Sequence, residues 1–115
     1  MDDTALWSLE HRFWTSADGR DGAALDPRCV MAFPSPFGII AGPTVAESLA
    51  QAPPWTSVSM DEQHLARPAP GLAVLAYRVR GEREGVGSYE AYCTSCYREA
   101  GEGWTLIQHQ QTPIG

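Results

Sequence analysis

Lysine is absent from this 115-residue chain: all eight basic residues are Arg, set against fourteen Asp and Glu, for a formal charge of −6. A surface of that sign excludes nucleic acid as a partner, because docking on a polyanion would add repulsion where counterion release should drive binding. No basic run offers a hold on an anionic membrane, and no apolar segment approaches the roughly 20 residues of a membrane span. The start, Met1-Asp2-Asp3-Thr4, is acidic where a signal peptide would be basic, so a soluble cytoplasmic protein is expected. Cysteine is scarce too, with only Cys29, Cys93 and Cys96. An odd, sparse set argues against a disulfide scaffold. Cys93-Thr94-Ser95-Cys96 has the spacing of a metal or redox pair, yet it lies inside an alternating run from Tyr89 to Arg98. On a strand, positions three apart point to opposite faces, so the two thiols cannot share a metal. No second pair completes a tetrahedral zinc site, and neither metal nor cofactor is expected.

What is present is one domain's worth of chain, residues 1–115, with a single core. Asp3 or Asp2 can cap a helix from about Thr4 to Ser16 that Gly19 closes. At 100° per residue, Leu9, Phe13, Leu6, Trp14 and Trp7 fall within an arc of about 160°, the face that should be buried. Glu10 falls near the middle of that arc. Either this carboxylate sits at the end of a pocket or pairs with a buried cation such as Arg, or a small rotation of the helix carries it to solvent.

From Ala17 to Asp26 the chain is polar and broken by Gly, with room for one or two helical turns. Pro27 introduces Cys29-Val30-Met31-Ala32-Phe33, and Phe37-Gly38-Ile39-Ile40 returns as a hairpin after Pro34-Ser35-Pro36. Thr44-Val45-Ala46-Glu47 matches a capping box, opening a short helix that buries Val45, Leu49 and Ala52 and ends at Pro53-Pro54. A largely polar strand follows, Val58, Met60, Glu62 and His64 on one face, up to a turn at Pro68-Ala69-Pro70-Gly71. Leu72 to Arg80 is a strand with Ala73, Leu75, Tyr77 and Val79 on one side. Gly81 to Gly87 reads as a charged loop, Tyr89 to Arg98 as the returning strand.

Gly103 to Pro113 is the last strand. Period two puts Trp104, Leu106, Gln108 and Gln110 on one face and Thr105, Ile107, His109 and Gln111 on the other. Both faces begin apolar and end polar. Buried amides without partners cost about 1–3 kcal/mol each, so the polar half calls for a wet cavity or a polar interface. Helix, hairpin, helix and four long antiparallel strands make an α+β domain with helices on one face of a curved sheet.

That order, the aromatic helix Leu6-Trp7-Ser8-Leu9-Glu10 with Phe13-Trp14, the Gly-Trp turn into the last strand and the ending His109-Gln110-Gln111-Thr112-Pro113 resemble the nuclear transport factor 2-like superfamily. The likeness is to its SnoaL-like members, related to the calcium/calmodulin-dependent kinase association domain. The resemblance implies a curved antiparallel sheet wrapped around N-terminal helices into a cone with a pocket at its open end, and a homodimer formed through the outer sheet face. Ketosteroid isomerases, scytalone dehydratase, polyketide cyclases and an epoxide hydrolase share this fold. Their Asp base, Asp/Tyr oxyanion pair or carboxylate–Arg set cannot be mapped onto this chain.

What remains is Glu10 with His109 as candidate acid and base. Tyr77 and Tyr92 are candidate hydroxyl donors, Trp14, Met31, Phe33 and Trp55 candidate walls, and Gln111 a further ligand contact. Burial would raise the Glu10 pKa and an adjacent imidazolium would lower it again; such a pair could move protons near neutral pH. Equally, His109 can be a core or interface histidine satisfied by a carboxylate or a backbone carbonyl. The expected function is binding of a small apolar organic molecule in a homodimeric domain. The alternatives are a metal-free isomerase, dehydratase or cyclase working through Glu10 or His109, and an assembly module whose cavity the Trp residues fill.

Overall fold

The structure, a computed structural model, describes residues 1–15, 25–85 and 87–114. The expected helix closure at Gly19 and the short turns after Ala17 lie outside the described residues. In chain order the elements are α1 (Asp3–Thr15), β1 (Leu25–Ala32), β2 (Ile39–Ala41), α2 (Pro43–Gln51), β3 (Ser57–Ala69), β4 (Leu72–Arg83), β5 (Gly87–Ala100) and β6 (Gly103–Pro113). No described helix is long and apolar enough to cross a membrane.

The cap of α1 is Asp2, whose Oδ1 accepts the Ala5 N–H at 2.9 Å, satisfying one of the amides that a helix start leaves without a partner. Arg67 of β3 fastens the same end through Asp3 at 2.9 Å and the Met1 carbonyl at 2.8 Å. The start of α2 differs from the expected capping box. Its N-cap is Gly42, at φ 62°, with Pro43 in the first turn and no side-chain cap bond. Pro at the first helical position needs no N–H and presets φ, so Thr44 is already inside the helix. Val45 and Leu49 are buried as expected.

The six strands form one sheet in the order β2-β1-β6-β5-β4-β3. The last four strands are antiparallel, as the sequence suggests. The small hairpin does not stand apart: β1 joins the sheet parallel to β6. Strands run further than their propensities indicate. The ladder of β4 with β5 extends to Arg83 opposite Gly87, so the charged loop shrinks to a tight connection. At the other end β3 carries on to Ala69, and the turn is left to Pro70 and Gly71, the latter at φ 75°. Pro68 is tolerated in β3 because that strand is at the sheet edge.

Irregularities bend the sheet. In β3, Asp61 pairs with Arg78 but His64 pairs with Ala76, with Glu62 at φ 52° between them. The extra residue reverses the alternation, so Glu62 and His64 do not continue the Val58 and Met60 row. In β6 the register slips between Leu106, opposite Tyr97, and Gln108, opposite Cys96. One extra residue in a strand adds curvature and re-aims the side chains beyond it. The concave face and the helices enclose the core, which includes Leu6, Phe13, Trp14, Met31, Leu75, Tyr97 and Leu106.

Candidate functional site

The β6 irregularity decides what the site contains. Leu106 and His109, three positions apart and on opposite faces by simple alternation, are both buried on the concave side, at 2% and 0% exposure. Ile107 is the additional residue. His109 thereby stands opposite Ser95, whose strand contributes the buried row Ala91, Cys93, Ser95 and Tyr97. Cys93 is buried within it while Cys96 is half-buried on the other face. Burial pushes the thiols up, Cys29 to about 11 and Cys93 to about 12, so both stay protonated and unreactive at neutral pH.

Glu10 is fully buried in the middle of the apolar arc of α1. Its carboxylate is held by three hydroxyls. Tyr97 donates to Oε1 at 2.7 Å, Ser95 donates to Oε2 at 2.6 Å, and Tyr77 also donates to Oε2. His109 Nδ1 is 3.5 Å from Oε2 and 2.7 Å from Ser95 Oγ. Tyr77 in turn accepts a hydrogen bond from Trp14 Nε1 at 2.9 Å. Burial pushes the Glu10 carboxyl up, but the hydrogen bond and charge of His109, with Ser95 and Tyr77 behind them, outweigh it and hold the carboxyl below its ordinary value. Burial, then the Glu10 charge, raise both Tyr77 and Tyr97 well above the usual phenol value, so they remain donors.

The polarity of the chain of bonds can be followed outward. Tyr89 donates to Gln111 Oε1 at 2.9 Å, which fixes the Gln111 amide nitrogen toward His109 Nε2 at 3.1 Å. On its other side, the ring nitrogen Nδ1 faces Ser95. Every polar atom of Glu10 and His109 is thus engaged, and neither reaches open space.

Beyond them lies a cavity of about 260 Å³. Its walls come from the end of α1 (Phe13, Trp14), the β1–β2 turn (Phe33, Pro34, Phe37), α2 (Ser48, Leu49), Trp55, and the far ends of the sheet (Arg83, Tyr89, Gln111). Trp55 is stacked on Tyr89, with centroids 5.4 Å apart and planes 18° apart, and packs against Gly81, where a Cβ would sit 3.1 Å from Trp55 Cε3. Only glycine lets the indole lie that close to β4. The ring of His109 is packed against Phe13 at 4.7 Å and Phe33 at 5.9 Å, so these aromatics stand between it and the cavity.

Of the residues singled out from sequence, Trp14, Phe33, Trp55 and Gln111 meet at the cavity. Glu10, His109 and Tyr77 meet behind it. Met31 is fully buried in the core, paired in register with His109, and does not line the cavity. Tyr92 is the misplacement: it is 51% exposed on the outer face, opposite Arg78, because the row that includes Tyr89, Ala91 and Cys93 is the one that faces inward. Tyr97 and Ser95 take the hydroxyl role assigned to it. Both, and Tyr89, follow from alternation along β5 once Tyr77 is set facing inward. Arg83 follows likewise, two residues past Gly81 on β4. Among the described residues no group of three His, Cys, Asp or Glu side chains could hold a metal ion.

A curved sheet over a sealed polar cluster, with an aromatic cavity at one end, defines the α+β cone of the nuclear transport factor 2-like, or cystatin-like, fold. Solved structures carry this comparison. A protein from Parabacteroides distasonis provisionally described as a ketosteroid isomerase superposes with a TM-score of 0.76 and 22% identity, over 95% of this chain and 85% of that one. The calcium/calmodulin-dependent kinase II hub homology domain of Chlamydomonas reinhardtii gives 0.75 and 15%, over 99% and 100%. A nuclear transport factor 2-like protein of unknown function from Prochlorococcus gives 0.78 and 11%, over 100% and 95%. No protein-family profile and no curated protein sequence matches the chain. At these identities the likeness is one of fold.

Proposed function

We propose that this chain binds a small, largely apolar organic molecule in the aromatic cavity, and that Glu10 and His109 form a structural cluster behind it instead of reacting. The observation that carries this reading is the division between the two: about 260 Å³ of space walled by Phe13, Trp14, Phe33, Leu49 and Trp55, with the carboxylate fully buried behind and its lone pairs taken by three hydroxyls. The volume is just under the roughly 300–1,000 Å³ of drug-sized ligand sites, which suits a fragment of one or two rings. A ligand-filled cavity also accounts for apolar side chains left without packing partners at the mouth, such as Phe37 at 72% exposure.

Proton transfer of the isomerase type is the second reading, favoured by one observation: Gln111 touches both His109 Nε2 and the cavity. Catalysis through His109 would require Gln111 to swing away.

Indole is a suitable neutral probe, titrated calorimetrically into the purified protein beside a Ser48→Phe variant. Ser48 lines the cavity from the helix surface, so a phenyl group there fills space without disturbing the Glu10 cluster. The expected result is saturable binding to the wild type and its loss in the variant at unchanged melting temperature. Equal binding by both proteins would place the ligand elsewhere, and turnover of a ketosteroid abolished by His109→Ala in a folded protein would favour the second reading.

A further inference from the structure

Arg83 brings to the cavity wall a buried polar atom that the fold leaves unanswered. Among the described residues its Nε is the single buried side-chain nitrogen or oxygen without a hydrogen-bond partner, and no described carboxylate lies within ion-pair distance of its guanidinium. The guanidinium carbon sits 4.0 Å from the centroid of the Trp55 ring, which in turn stacks on Tyr89. Two other sheet arginines give a contrast. Arg78 is paired with Glu90 at 3.0 Å and Arg98 with Asp26 at 2.5 Å, both near the chain's own carboxylates. Arg83 alone of these three lines the cavity, and burial depresses its pKa without a counter-charge to restore it.

A guanidinium that lies over an aromatic ring can still offer its terminal Nη donors, whose spacing matches a carboxylate, to an anion in the cavity that Arg83 lines. The stack holds the planar group in one orientation, so little side-chain freedom remains to be lost when an anion docks. The rest of the wall is hydrocarbon and aromatic, with Gln111, Tyr89 and Ser48 as the other polar contributors. One cation in an apolar cavity suits a monoanion. A phosphate would bring a second charge and more acceptor oxygens than the wall has donors to meet.

We infer that the ligand of this cavity is a small aromatic or branched carboxylic acid, its carboxylate paired with the Arg83 guanidinium and its hydrocarbon part held among Phe13, Phe33, Leu49 and Trp55. The inference rests on the cavity being a binding site, and it specifies which end of the ligand faces the end of β4. Arg83 is a specificity-determining residue: it selects acids over neutral molecules of the same shape.

The test compares 3-phenylpropanoate with its neutral isostere 3-phenylpropanamide, and with phenyl phosphate, by calorimetry on the wild-type protein, with indole as a charge-independent probe of the cavity. The acid should bind about ten-fold or more tighter than the amide, as expected for a charge-assisted pair in a partly desolvated site. Arg83→Met should bring the acid to the level of the amide, and Arg83→Lys, which keeps the charge but loses the planar fork, should fall between. Equal binding of acid and amide by the wild type, with indole still bound, would overturn the carboxylate assignment and leave the cavity reading standing. Tighter binding of phenyl phosphate would overturn it too. If none of the four compounds binds, both readings fail together.

Discussion

Glu10 shows what a single buried carboxylate demands of its surroundings. An ion this far from water is tolerable only if several donors replace its hydration, and here Tyr77, Ser95 and Tyr97 do so, with His109 3.5 Å away. Glu10→Gln keeps the shape but swaps one acceptor oxygen for a donor facing hydroxyls that already donate. Urea denaturation at pH 7 should therefore register a loss of about 1–3 kcal/mol. The pH dependence has a defined sign. The folded-state pKa is depressed below the ordinary 4.5, so the stabilisation is fully present above that value and drains away as pH falls through the folded pKa. The gap between wild type and Glu10→Gln should narrow as the pH is lowered from 7 toward 3; a gap that widens as the pH falls would mean that Glu10 is not ionised in the native protein. A purely catalytic Glu10 would instead lose activity at unchanged stability.

At the scale of elements, alternation within one strand was readable and breaks in alternation were not. The arc of α1 centred on Glu10 and the Ala73-Leu75-Tyr77-Val79 face of β4 follow directly from the periods 3.6 and 2. The concave position of His109 depends on the slip at Ile107, and nothing in Leu106-Ile107-Gln108-His109 marks which residue will be extra, since a bulge is a property of the paired strands. The outward position of Tyr92 is illegible for a related reason: parity along β5 needs an anchor across the ladder, and the anchor is Tyr77 opposite Cys93. Arg83 is not legible as a strand residue because charge and Gly81 suggest a turn where the β4–β5 ladder continues.

The parallel placement of β1 beside β6 is likewise a tertiary choice, and Asp26 holds it. Its carboxylate accepts from the Arg28 amide at 2.9 Å and from Arg98 Nε at 2.9 Å, just where the register between β1 and β6 shifts after Leu25. The Arg28 amide and the Arg98 guanidinium hold the Asp26 carboxyl below its usual range. Asp26→Ala should leave α1 and β4 intact while speeding amide hydrogen exchange selectively at the start of β1 and at its β6 partners near Leu106. Uniform exchange across the sheet would show that the clamp is not what fixes β1.

At the scale of the whole molecule, the two faces of the sheet have different fates. Both helices lie on the concave side, where Glu10 of α1 reaches Tyr77 and Leu49 of α2 lines the cavity. The convex side carries Leu72, Val74 and Ala76 on β4 beside Thr94, Cys96 and the exposed Tyr92 on β5, crossed by the Arg78–Glu90 pair. Hydrocarbon rows with a mixed-sign rim suit a two-fold contact, in which one patch meets its own copy and each Arg can face a carboxylate of the other chain. We therefore propose that the protein is a homodimer through this face. Tyr92→Glu would put a carboxylate beside Glu90 and against its symmetry mate, and should raise the dimer dissociation constant by about ten-fold or more, read by sedimentation equilibrium. Because the side chain points away from the cavity, indole binding should be unchanged. A variant that stays fully dimeric would place the contact elsewhere; a monomer that also loses indole would mean that the cavity takes its shape from the pairing of two sheets and not from one chain alone.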